Sequence, residues 1–341
     1  MAFDNLRLEK GMYRQEGMNF TQVLESLDPS ENYRGTALEG TDAFQRQLKR
    51  FDIRAKGAGS SPVEKFFRTM DSAVLFPEYI ARTVRQGMEE NDILPAITAT
   101  TTVIDAMDYR SVYSEMEDED KELKDVLEGT EIPTTQIKTK DHLVHLHKRG
   151  RMLVASYEAV RFQKLDLFGV MLRQIGAHIQ KMQVNDALKV LVLGDGNDNP
   201  GRMFKVGEYP MNGTAGTLKY GQLIDFWSQF DPFTLNTMLC STGMVSEMLK
   251  LPEMQNPMAG LNFQGSGKIG TPLGANVHRI GGLDDAIIVG LDNRYALEQV
   301  RAGDVLVEYD KLIDRQLERA AITSIAGFGK ICNGASAILC V

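Results

Sequence analysis

Hydrophobic and polar positions follow a helical period over one long stretch of the chain. Leu165, Phe168, Leu172, Ile175, Ile179 and Met182 recur at intervals of three and four, while Gln163, Lys164, Arg173, Gln174, Gln180, Lys181 and Gln183 fall mostly off that line. The pattern predicts a helix from about Asp166 to Leu193, closed by Gly194-Asp195-Gly196. At 1.5 Å per residue such a helix is on the order of 40 Å long. That length suits the spine of an elongated subunit whose edges neighbours must cover. Asp186 and Lys189 interrupt the repeat, which argues against a free coiled coil.

Other stretches carry shorter signals. Residues 1 to about 75 read as an arm, with helical pieces at Phe20 to Leu27 and Thr41 to Phe51. Asp28-Pro29-Ser30 and the Gly/Ser-rich run from Lys56 to Pro62 separate them, and Thr41 and Asp42 are N-cap candidates. Apolar residues are too sparse here to close a core, so the arm is expected on a partner's surface. A helix around Pro77 to Met88 precedes a β-branched strand, Thr98 to Ile104. Residues 108 to 150 read as a two-stranded excursion, out along Tyr109 to Glu115 and back along Thr135 to Lys148. Ile137, Leu143, Val144 and Leu146 are its apolar positions, and Glu115 to Asp120 form an acidic tip. Such a ribbon has little to pack on within its own chain.

After the helix the text alternates between the two periods. Helical segments at Lys219 to Gln229 and Gly243 to Leu249 flank a strand at Thr237 to Ser241. A Gly/Pro/Asn-rich loop, Asn256 to Gly274, leads to strands at Asn276 to Ile280, Ala286 to Gly290 and Tyr295 to Val300. The chain closes with strands near Val305 to Tyr309, Ala320 to Ile325 and Ala335 to Val341.

Composition narrows the classes. With 341 residues, 43% hydrophobic and 25% charged, the chain is ordinary for a globular protein. A net charge of −8 argues against general nucleic-acid affinity. No apolar run reaches the roughly 18 residues of a membrane span, and the polar start is unlike a secretory signal. Cys240, Cys332 and Cys340 make no disulfide framework and are expected as reduced thiols.

Candidate chemistry is thin. Gly265-Ser-Gly267-Lys-Ile-Gly270 has dinucleotide-loop spacing but neither follows a strand nor opens a helix, so it reads as a loop. Asp195, Asn197 and Asn199 imitate half of a calcium loop, yet Pro200 stands where glycine is needed and Val206 where the bidentate Glu belongs. A glycine-rich helix stop explains the same residues. His142, His145 and His147 cluster, but on a strand only His145 and His147 share a face. Cys240-Ser241-Thr242 has no histidine nearby in sequence. No cofactor or metal is expected. Charge is more informative: Arg46, Lys49, Arg50, Arg54 and Lys56 make the arm basic, while Glu117, Asp118, Glu119 and Asp120 lie in the acidic tip. These are either two separately solvated faces or a complementary pair joining neighbouring subunits.

The order of parts resembles the major capsid protein of tailed bacteriophages, the Hong Kong 97 fold family. The resemblance rests on Asp28-Pro-Ser-Glu-Asn-Tyr33, on Leu38 to Phe51, on Ala73-Val-Leu-Phe-Pro-Glu-Tyr79, and on Asp186-Ala-Leu188 with Leu193-Gly-Asp-Gly196 and Pro200-Gly201. It implies an α+β fold with an N-arm (1–75), an E-loop (106–149), a P-domain carrying the spine (76–105, 150–200, 301–322) and an A-domain (201–300, 323–341). It also implies hexamers and pentamers closing into an icosahedral shell around double-stranded DNA in a virion, assembled in the host bacterial cytoplasm, with a portal partner. Only about 75 residues precede Phe76, so a separate scaffolding protein or protease is expected rather than a fused segment. Lys121, Lys124 and Asn333 stand where some members cross-link, without a supporting motif.

The expected role is therefore structural, not enzymatic. Subunit contacts would fall on Arg46, Lys49, Arg50, Arg54, Glu117 to Asp120, His145 and His147, and the ribbon's Leu143 to Leu146 would cover a neighbour's spine. Deleting 110–148 would then leave a soluble chain unable to build shells. Two alternatives remain: an encapsulin-like compartment with the same fold, and an α/β enzyme with a site in 201–341.

Overall fold

The computed structural model describes residues 2–15, 17–90, 92–106, 108–113, 138–256 and 272–341. The acidic tip, Lys121, Lys124 and Gly265 to Gly270 lie outside the described residues. In order, the elements are α1 (Phe20–Leu27), α2 (Ala43–Arg50), α3 (Met70–Glu89), β1 (Thr100–Ile104), β2 (Val112–Tyr113), β3 (Lys138–Thr139), β4 (Leu146–Ser156), α4 (Tyr157–Phe162) and α5 (Leu165–Leu193). There follow β5 (Arg202–Lys205), α6 (Tyr220–Ser228), β6 (Thr237–Cys240), α7 (Thr242–Lys250), α8 (Pro252–Gln255), β7 (Asn276–Arg279), β8 (Ile287–Leu291), β9 (Leu297–Ala302), β10 (Leu306–Leu312), β11 (Leu317–Lys330) and β12 (Ser336–Cys340). The chain divides into two compact units, Met1–Asp92 with Lys148–Lys181 and Asp304–Ser324, and Ile93–His147 with Met182–Gly303 and Ile325–Val341. Helix α5, the expected spine, gives its residues through Lys181 to the first unit and the rest to the second.

In the first unit α3 packs along the start of α5. Leu165, Leu172 and Ile179 are buried there with Leu75, Phe76, Ile80 and Val84, as the spacing of three and four predicts. The two helices touch backbone to backbone. A Cβ on Gly176 would fall inside the radius of the Val84 carbonyl oxygen, and one on Gly87 inside that of Arg173. Helix α3 starts at Met70, well before the expected Pro77, because Thr69 and Ser72 form a capping box. Pro77 is carried inside the helix, where it lacks the N–H that would bond the Ala73 carbonyl.

The first 75 residues depart from the expected arm. Leu8, Phe20, Leu24, Phe44, Ile53, Val63 and Phe66 are buried in the same core as α3. Most of its apolar side chains are buried or half-buried, with Met18, Leu27 and Met70 among those left exposed, so much of this segment lies on its own chain. Asp42 caps α2 in a capping box with Gln45 and also accepts from Arg82 of α3 at 2.6 Å. Arg82 donates further to Glu78 and to Thr21, tying α1 and α2 to α3. Antiparallel β10 and β11 pair from Leu306↔Thr323 to Leu312↔Leu317.

The second unit is built on a five-stranded sheet ordered β5-β12-β8-β6-β7. Its strands are apolar on both faces. Met238, Cys240, Ile288, Ala337 and Leu339 face a core with Phe226 of α6 and Met244 and Met248 of α7. Leu239, Val289 and Ile338 face the opposite core with Val184, Leu188 and Leu191 of α5. The period of two along each strand sorts side chains to these two layers. In the same unit β9 pairs parallel with β1 and antiparallel with the end of β11.

Candidate functional site

The two strands at the ribbon's root run side by side in the second unit. They pair at Val112↔Thr139 and Tyr113↔Lys138. Just before them the Lys140 amide donates to the Ser111 carbonyl at 3.0 Å, and the Val144 amide to that of Tyr109 at 2.8 Å. Val144 is buried and Leu146 half-buried, while Leu143 and His145 are exposed. Val144 and Leu146 lie over β11, where Gly327 and Gly329 leave room: a Cβ there would meet Leu146 Cδ2 at 2.9 Å or Val144 Cγ2 at 3.3 Å. The Leu143 to Leu146 segment expected to cover a neighbour thus closes the core of its own chain, with Leu143 left outside. The expected deletion of 110–148 would accordingly strip part of that core.

Two carboxylates receive the ribbon's root. Glu298 of β9, almost fully buried, accepts from Thr102 Oγ1 at 2.5 Å, Tyr109 Oη at 2.8 Å and Ser111 Oγ at 2.5 Å. Burial, and then the bond to Glu298, push the Tyr109 hydroxyl pKa up. Asp195, in the turn that ends α5, accepts from Lys140 Nζ at 2.7 Å and the Lys330 amide at 2.9 Å on Oδ2. Its Oδ1 accepts from the Asn197 side chain at 2.9 Å and amide at 3.3 Å. Burial pushes the Asp195 carboxyl up, but bonds from Lys140, Asn197 and the Lys330 amide, with the Lys140 charge, outweigh it and hold the pKa at about 2.

Lys330 is wholly buried, and its Nζ donates to the Asn199 carbonyl at 2.9 Å. Burial brings its pKa down to about 8, helped by the Lys140 and Arg202 charges and opposed by Asp195. Gly194 and Gly196 hold φ of +89° and +91°, the left-handed turn that aims Asp195 inward. The residues that imitate a calcium loop are therefore committed to internal bonds. Among the described residues no three His, Cys, Asp or Glu side chains are grouped to hold a metal ion. Cys240 sits in the sheet core, where burial raises its thiol to about 12, the reverse of an activated nucleophile.

The charged candidates separate. Arg46 has no exposed surface: it donates from Nε to Asp28 Oδ2 at 2.6 Å, and from one terminal nitrogen to Ser30 Oγ at 3.0 Å. Its guanidinium lies 4.3 Å from the Tyr33 ring centre. A cation so enclosed is spent within its own chain, which corrects its place among subunit contacts. Arg50 is half-buried and donates to the Leu6 carbonyl at 2.6 Å. Lys49 and Arg54 are exposed, Arg54 beside Asp52 at 3.8 Å. Glu117, Asp118, Glu119 and Asp120 lie outside the described residues. His145 and His147 are exposed with rings stacked at 6.2 Å, so they do share a face. With Asp186, Lys189, Leu193 and Phe328 they line a depression of about 320 Å³.

Sequence reasoning missed Ser111, Lys140, Glu298 and Lys330. One signal was present: Lys330 closes the apolar run from Ile325 to Gly329, and a charge so placed demands a partner. It also missed exposed apolar side chains in the first unit: Leu167, Val170 and Met171 on α5, Phe162 at the end of α4, and Met152 and Val154 on β4.

No family model matches the sequence, and no curated protein matches it. Solved structures do. The capsid of the native GTA particle superposes with a TM-score of 0.53 and 13% identity, over 76% of this chain and 90% of that one. The capsid of cyanophage P-SCSP1u gives 0.52 and 11%, over 72% and 86%. The mature capsid of bacteriophage PhiM1 gives 0.51 and 10%, over 73% and 87%. At such identities the likeness is one of chain path, and on it the protein has the α+β Hong Kong 97-type fold of phage capsid proteins.

Proposed function

We propose that the protein is a major capsid subunit that assembles with itself, through hexamers and pentamers, into an icosahedral shell enclosing phage double-stranded DNA. The observation that carries this reading is the extent of the fold match, 86–90% of the length of capsid chains from separate particles. On this reading 76–105, 150–200 and 301–322 form the P-domain, 201–300 and 323–341 the A-domain, and 106–149 the E-loop. Residues 1–75 remain the N-arm in position, although much of this segment packs on its own chain. Leu167, Val170 and Met171, exposed on α5, support the same reading, since apolar side chains gathered on one helix face call for a covering surface. The occupant is a second copy of the chain, because a closed shell buries the same patch on every subunit.

The role is structural rather than catalytic, in the virion capsid, with assembly in the host cytoplasm beside a portal and a separate scaffolding protein or protease. Negative-stain microscopy of the purified protein tests it: closed particles tens of nanometres across are expected, and a monomer with a deep polar site would instead favour an enzyme. Nuclease-resistant DNA inside particles from infected cells separates a phage shell from an encapsulin-like compartment holding an enzyme. Replacing only 114–137 with a short glycine turn keeps both anchored roots and should abolish closed shells. Normal particles from that variant would remove the ribbon from the assembly scheme.

A further inference from the structure

We propose that the Ser111–Lys140 rung is a clamp, anchored by Glu298 on the outgoing strand and Asp195 on the returning one, that fixes the geometry of the ribbon's root. The role in assembly rests on the capsid reading; the clamp itself does not.

Ser111 and Lys140 are joined by a backbone hydrogen bond, and each sends its side chain to a different carboxylate. The carboxylates come from parts of the chain far from the ribbon in sequence, the strand β9 and the turn that ends α5. Ser111, Lys140, Glu298 and Lys330 are all buried. Lys140 also donates to the Lys330 carbonyl, so one ammonium group bridges the Asp195 turn and the end of β11.

An apolar rung would tether a ribbon equally well at lower desolvation cost. A connected polar network does something else: it accepts only one geometry, because displacement leaves buried donors and acceptors unpaired. Each anchor fixes one strand, so the pair restrains rotation as well as position. The chemistry of the two differs. Hydroxyl groups bind Glu298, and an ammonium group binds Asp195, so each can be broken without touching the other. Asp195 and Glu298 are in this sense positioning residues, acting through Lys140 and through Ser111 with Tyr109.

Amide hydrogen exchange on the unassembled full-length chain tests the clamp. Asp195→Asn and Lys140→Met should speed exchange at the Lys140 and Val144 amides by on the order of tenfold, while β6, β8 and β12 keep their protection. Lys140→Arg, which preserves the charge, should restore protection. The double variant Asp195→Asn with Lys140→Met should be no worse than either alone. Glu298→Gln should loosen 108–113 in the same selective way. Unchanged exchange at both roots in Asp195→Asn and Glu298→Gln would overturn the proposal. A uniform loss of protection across the sheet in every variant, Lys140→Arg included, would overturn it too. Microscopy of the same variants is expected to show fewer closed particles than wild type. If the wild-type chain builds none, the capsid reading fails while the exchange data still decide the clamp.

Discussion

Arg46 and Asp28 form an ion pair at 2.6 Å in which neither side chain has more than 1% of its surface exposed. Tyr33 donates to the second Asp28 oxygen at 2.7 Å, and the Arg46 guanidinium lies against the Tyr33 ring. The pair ties helix α2 to the end of α1. Breaking one partner leaves the other charged and buried, so Arg46→Met should destabilise the unassembled chain by about 3–5 kcal/mol. Arg46→Met with Asp28→Leu should cost less than the two single changes summed. Urea unfolding measures both; additive losses would mean that the pair carries no coupling.

The crossing of α3 and α5 admits no side chain at Gly87 or Gly176. Gly176→Ala and Gly87→Ala should each destabilise by about 1–3 kcal/mol or more, because the helices must move apart. Gly221 in α6 is the control, since nothing lies within 4 Å of a Cβ placed there. Gly221→Ala should be neutral or stabilising by up to about 1 kcal/mol. Thermal unfolding of the three variants distinguishes close helix contact from a general effect of alanine.

Lys330 carries a pH signature. Its folded pKa of about 8 lies below the ordinary lysine value of 10.5 because burial disfavours the ammonium form. Between those two values the unfolded chain binds more protons at this residue than the folded one, so its contribution to stability rises with pH. Below about 8 both states are protonated and the burial penalty is constant. Wild type should therefore gain stability relative to Lys330→Met as pH is raised from 8 to 10. Urea midpoints of the two proteins in parallel isolate this residue from other groups; a flat difference would contradict the assignment.

The stripe on α5 separates assembly from folding. Leu167 and Met171 are exposed in the single chain, at 61% and 47%. Leu167→Glu and Met171→Glu should shift unfolding by no more than about 0.5 kcal/mol, as expected of surface changes. They should nevertheless reduce closed particles severely, because a charge would be buried at each repeated contact. Shells of normal yield from Leu167→Glu would mean that this face stays open to solvent.

What could be read in the linear text was whatever acts over one or two turns. The interval of three and four from Leu165 to Met182 specified α5 nearly to the residue, and Asp42 marked the start of α2 as its cap. Short continuous apolar runs at Thr237 to Ser241 and Ala286 to Gly290 located sheet strands, and the order of these parts pointed to the capsid fold. Local propensity also misled: Pro77 as a helix start hid the seven residues before it, because the Thr69 cap outweighs one lost hydrogen bond.

Partners distant in sequence could not be read in this way. Asp195 meets Lys140 55 positions away and the Lys330 amide 135 positions away, and Glu298 meets Ser111 across 187. The same holds for the first 75 residues, whose sparse apolar side chains looked too few for a core until α3 and α5 supplied the rest. Periodicity and capping are set by neighbouring residues and are written in the sequence. Which buried charge finds which counter-charge depends on where folding brings separate strands together, and only the tertiary structure decides that.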